Sequence, residues 1–215
     1  MKRISLILSI LLIITSGYAQ VNEKSEHQFY KQGDWEFGFS LNIGGSSEQT
    51  KETNTYSDGS SQSYSTYDYT EKGFYTHLGV STGYYIINGL SIEPEFDINL
   101  YSWEISVSLL GNLCYTFYLP QKNIYPYIKL GYGLSNNPGN NYNSSNDLFE
   151  SLDFNTINAG VGIKLTYYSG MAFRMEINYR TINGSDTYYY SASSSTEYET
   201  TISVISISFG ASILL

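Results

Sequence analysis

The sequence predicts an all-β fold, an eight-stranded antiparallel up-and-down transmembrane β-barrel. Three observations lead there. Apolar and polar residues alternate with a period of two in segment after segment, tight turns alternate with longer polar connections, and the polar faces are rich in Gly and Ser. Successive side chains in a strand face opposite sides, so each segment can be sorted into two faces.

The chain opens with a leader. Lys2 and Arg3 precede an apolar run at 4–14, and Gly17, Tyr18 and Ala19 lead to an expected cut at Gln20. This is the charged, apolar and small-residue order of a secretory signal peptide. Residues 1–19 are therefore expected to be a signal peptide, 20–32 an N-terminal segment and 33–215 the barrel domain.

In the first strand, within 33–46, Trp35, Phe37, Phe39, Leu41 and Ile43 take one face, and Glu36, Ser40 and Asn42 the other. The stretch 47–72 carries no apolar period and is rich in Ser, Thr, Tyr and Gly, so it is expected to be a long mobile loop. Its Tyr56, Tyr64, Tyr67 and Tyr69 are candidates for surface interaction, because tyrosine offers contact area with a polar tip. The second strand, 73–87, sets Phe74, Leu78, Val80 and Tyr84 against Tyr75, His77, Gly79 and Tyr85. Asn88-Gly89 then forms a two-residue hairpin turn, since this pair favours positive backbone dihedrals.

The third strand, 90–100, places Ile92, Phe96 and Ile98 opposite three acids, Glu93, Glu95 and Asp97. The fourth, 103–118, alternates likewise except at Leu110, and 120–123 makes a short turn. The fifth, in "YPYIKLGYGLS", carries Lys129 on its polar face. A Ser/Asn/Gly-rich connection at 136–153 leads to the sixth, "INAGVGIKLTY", which carries Lys164. After a turn at 168–170, the seventh, "AFRMEINYR", carries Arg174, Glu176 and Arg180. Another polar connection precedes the eighth, "ISVISISFGASILL". An even strand count allows an up-and-down barrel to close.

Two placements of these faces are physically open. A soluble barrel would turn the aromatic face inward and the charged face out. Eight strands enclose little room, and the apolar faces carry too many aromatics to fit there. A lipid-facing apolar surface around a narrow Gly- and Ser-lined bore is the predicted arrangement. Charges left unmatched in such a bore cost several kcal/mol each. Glu36, Glu93, Glu95, Asp97, Lys129, Lys164, Arg174, Glu176 and Arg180 are therefore predicted to form a charge network, whose pairing cannot be read from spacing.

Composition excludes other classes. The formal charge is −9, which removes the basic footprint that nucleic-acid binding requires. The single cysteine, Cys114, excludes an internal disulfide framework and a multi-cysteine zinc site. No cofactor, metal or catalytic residue is expected, although acidic loop tips offer weak divalent-ion contacts without a ligand loop of fixed spacing.

The leader, "PYIKLGYGLS", "NAGVGIKLTY", "AFRMEINYR" and the terminal "SISFGASILL" together resemble small eight-stranded outer-membrane barrels. These are of the kind formed by OmpX and the transmembrane part of OmpA, particularly the outer membrane β-barrel domain proteins of Bacteroidetes-type organisms. The resemblance implies residence in the outer membrane of a Gram-negative cell, contact with its lipid and lipopolysaccharide, and insertion by the barrel-assembly machinery. Leu215 stands where the family usually ends in an aromatic.

Three functional classes follow. The first is a non-enzymatic envelope protein with a plugged lumen, whose loops stabilise the envelope or meet an unknown extracellular partner. A small pore is the second, opposed by inward Tyr75, Tyr85, Leu110, Tyr118 and Tyr127. A lipid A-modifying barrel enzyme is the third. It needs a nucleophile beside a base, and the histidines are His27 and His77, the latter inward and expected to be a hydrogen-bonded bore residue.

Overall fold

A computed structural model describes residues 29–57, 62–101, 104–119, 123–136, 152–166, 170–191 and 194–215. The expected signal peptide, His27 and most of the connection at 136–153 lie outside these residues. Eight strands form one closed antiparallel ring in chain order. They are β1 (Trp35–Ser57), β2 (Gln62–Ile87), β3 (Leu90–Tyr101), β4 (Glu104–Thr116), β5 (Ile124–Ser135), β6 (Phe154–Thr166), β7 (Met171–Ser191) and β8 (Ser194–Leu214).

The ring closes where β8 pairs with β1, and backbone bonds between Trp35 and Leu215 (2.8 and 3.1 Å) finish the seam. Asn88-Gly89 makes the expected two-residue turn, although Gly89 (φ 81°) alone of the pair takes a positive dihedral. Just before it, a register shift between Tyr85 and Ile87 changes the alternation, which leaves Ile87 rather than Ile86 exposed.

Polarity is inverted relative to a soluble protein. Phe39 (52% exposed), Leu130 (61%), Ile177 (61%) and Ile205 (65%) stand outside, while Glu36, Asp97, Lys164 and Arg180 are buried. The outward apolar run from Trp35 to Ile43 on β1 spans about nine residues, the length a tilted strand needs to cross a bilayer core. Val107 departs from the pattern. Parity directs it outward, yet it is buried beside Asn136, which bonds both its N–H and its carbonyl.

Within the stretch expected to be a mobile loop, 47–57 and 62–72 are strand. β1 continues to Ser57 and β2 begins at Gln62, paired residue by residue from Ser57↔Gln62 down to Trp35↔Tyr84. The polar connection expected before the eighth strand is likewise strand: β7 runs to Ser191 and β8 starts at Ser194. β3 reaches only Tyr101 and β6 starts at Phe154, so β2, β1, β8 and β7 rise past the ring as a four-stranded extension. Thr66 to Lys72 of β2 are exposed on both faces, and the residues buried on β1 and β8 there are threonines (Thr50, Thr196, Thr200), so the extension shows no apolar period. Ser, Thr and Tyr suit a pleated surface, and pairing with neighbours satisfies the backbone.

Candidate functional site

The inward parity of β1, β3, β5, β6 and β7 brings all nine predicted charged residues into the bore. Lys164 Nζ lies 2.7 Å from Glu36 Oε2 and 2.9 Å from the Tyr85 hydroxyl. Arg174 Nη2 is 3.1 Å from Glu93 Oε2. Lys129 lies 2.9 Å from Glu176 Oε1 and 3.4 Å from Glu95 Oε2. Arg180 donates to Asp97 Oδ2 at 2.6 Å and to Asn99 Oδ1 at 3.0 Å. Ser212 donates to Glu36 at 2.6 Å, and Tyr127 to Glu176 at 2.7 Å. Each cation meets a carboxylate reached across the bore, which is how buried charge becomes tolerable.

Apolar clusters lie above and below this polar layer. Toward the extension, Tyr75, Tyr101, Phe154, Ile182, Ile202 and Val204 pack together. At the opposite end Tyr30, Tyr85 and Tyr125 form a second cluster against Phe29, Tyr118 and Leu214. Tyr30 precedes β1, and sequence reasoning missed it because a lone tyrosine outside any period carries no signal. Its hydroxyl meets Thr166 Oγ1 at 3.1 Å, its carbonyl accepts from Gly89 N–H and the Tyr118 hydroxyl, and Lys164 Nζ lies 4.9 Å from its ring centre. The upper cluster did carry a signal, namely apolar residues at inward parity: Ile182, Ile202 and Val204.

A bore cavity lined by Ser40, Glu95, Tyr127, Lys129, Arg174 and Glu176 measures about 20 Å³, room for about one water. A larger hollow of about 730 Å³ includes Phe37, Val80, Phe96, Leu109 and Tyr132 in its lining, so it opens on the outer wall among belt residues. His77 is buried, between the Tyr75 hydroxyl (2.6 Å from Nδ1) and the Asn42 side chain.

The four candidate surface tyrosines stand exposed on the extension. Because Tyr56 pairs with Ser63, Tyr56, Tyr67 and Tyr69 share one face, and Tyr64 takes the other. Lys51 and Glu199 form an exposed ion pair at 2.9 Å. Glu48 sits directly opposite Glu71, and its carboxyl is raised above the ordinary range, first by burial and then by Glu71, against a hydrogen bond from Thr50.

No protein-family model matches the chain, and no curated protein does. Among solved structures, it is similar to Neisserial surface protein A (TM-score 0.45, 14% identity, covering 81% of this chain and 96% of that one). It is also similar to the outer membrane protein OprG from Pseudomonas aeruginosa (0.46, 14%, 85% and 98%). A de novo designed transmembrane β-barrel is a further likeness (0.35, 13%, 80% and 94%). These likenesses are of the barrel fold alone.

Proposed function

We propose that this chain is a non-enzymatic integral outer-membrane barrel with a plugged, charge-paired lumen. Its strand extension would present a polar, tyrosine-bearing sheet outside the membrane, for envelope stability or surface interaction. The carrying observation is the inverted polarity: aromatic and aliphatic side chains point away from the axis while five carboxylates and four cations point toward it. The paired charges and the two apolar clusters support the plug. The lipid bilayer, lipopolysaccharide and the barrel-assembly machinery are the partners this reading implies, with an extracellular partner for the extension.

Refolding into detergent tests the reading. A closed barrel migrates faster unheated than boiled, and a single mobility counts against it. In planar bilayers a plugged lumen gives no steady openings, and steady openings overturn the plug. Unchanged lipid A acylation in cells carrying His77→Ala supports a non-enzymatic role.

A further inference from the structure

We propose that His77, Glu95 and Asp97 form a structural divalent-metal site within the bore, of a chemistry suited to Zn²⁺. Each offers one ligand atom, and these atoms all lie within 4.8 Å of one another. One imidazole nitrogen with two carboxylate oxygens is a set that zinc accepts, at bond lengths near 2.0–2.2 Å.

The hydrogen bonds fix which atoms face the gap. The Tyr75 hydroxyl donates to Asn99 Oδ1 at 2.9 Å, so its oxygen is left to accept from Nδ1–H of His77, 2.6 Å away. Nε2 then carries a lone pair, and it lies 3.8 Å from Asp97 Oδ1. Oδ1 is buried and accepts from no N–H or hydroxyl among the described residues, while the Asp97 carboxyl also meets that of Glu95 within hydrogen-bond reach. Two electron-pair donors thus face each other, and a positive centre belongs between them. The outer contacts suit a metal: Tyr75 holds the far nitrogen of the imidazole, and Arg180 holds the far oxygen of Asp97.

A Cβ on Gly79 would stand 2.5 Å from Asp97 Oδ1 and 2.7 Å from Ser40 Oγ, so glycine there lets that oxygen pack close against the β2 backbone. Asn42, whose amide nitrogen rests on Nε2, has an unpartnered side-chain oxygen and must turn aside to admit the ion. The bore's five carboxylates also exceed its four Lys and Arg cations, and a divalent ion offsets the surplus. The site does not depend on the surface role proposed for the extension.

The test is refolding into detergent with Zn²⁺ alone, removal of loose metal by gel filtration, and elemental analysis of the folded band. The expected result is one zinc per folded wild-type chain, with retention lowered about tenfold or more in His77→Ala and Asp97→Asn and kept in Ser212→Ala. Wild-type chain that folds but retains no zinc overturns the site, since a proton then fills the gap. Retention unchanged in His77→Ala overturns it equally, since the metal then sits elsewhere. If the variants do not fold, Co²⁺-loaded wild type decides: visible absorption bands of a low-coordinate nitrogen–oxygen site support the proposal, and an aqua-ion spectrum overturns it.

Discussion

Lys164 on β6 and Glu36 on β1 meet at 2.7 Å inside the bore, although their strands are not neighbours in the ring. The pair therefore ties opposite walls together. Lys164→Met leaves Glu36 buried without its nearest cation, and the expected loss is about 3–5 kcal/mol. Lys164→Met with Glu36→Gln is expected to recover part of it. Urea unfolding in lipid vesicles gives both values, and equal losses for the single and double variants would count against the pairing.

The outer wall gives a separate test. Ile177 lies mid-strand on β7 between Val161 and Ile207, and is 61% exposed. In a bilayer, Ile177→Arg is expected to cost about 2–4 kcal/mol. Tyr67→Arg, on the wet extension, is expected to stay within about 0.5 kcal/mol. Vesicle folding titrations measure both, and a neutral Ile177→Arg would mean this wall meets water.

Phe154 in the upper cluster packs against Gly184, where a Cβ would stand 2.4 Å from the ring. Gly184→Val is expected to displace Phe154 and lower stability by about 1–3 kcal/mol. The urea midpoint reads the change, and an unchanged midpoint would show that the cluster yields freely.

Glu48 lies beyond the apolar belt, and its carboxyl is raised by burial and by Glu71 across the ladder. A raised carboxyl binds its proton more readily folded than unfolded. Its contribution to the extension is therefore full below the ordinary carboxylate range and lost as pH rises through the folded value. Amide protection factors, with the intrinsic pH dependence of exchange divided out, are expected to rise around Glu48 and Glu71 on acidification from neutral pH, and Glu48→Gln to remove most of that dependence. A wild-type response retained by the variant would place its origin elsewhere.

Alternation made the ring legible. Wherever one face meets lipid and the other the bore, the period of two identifies the strand and predicts inward Glu93, Glu95 and Asp97. The extension hid for the same reason, since residues such as Thr66 to Lys72 are exposed on both faces and leave no contrast to read. Pairing within the bore was also illegible. That Arg174 reaches Glu93 while Arg180 reaches Asp97 depends on strand tilt and stagger, which no single strand encodes. His77 was readable as inward, but its approach to Asp97 depends on the register of β2 against β3.

Tyr30 ties together parts of the base that are distant along the chain. It contributes nothing to the wall, and its resting place needs Thr166 from β6, Gly89 from the β2–β3 turn and Tyr125 from β5. Its seat thus draws on strands from both halves of the ring. A ring lacking its sixth stave would leave Tyr30 without Thr166, so this one aromatic ring joins parts of the base that the strands' own pairing does not.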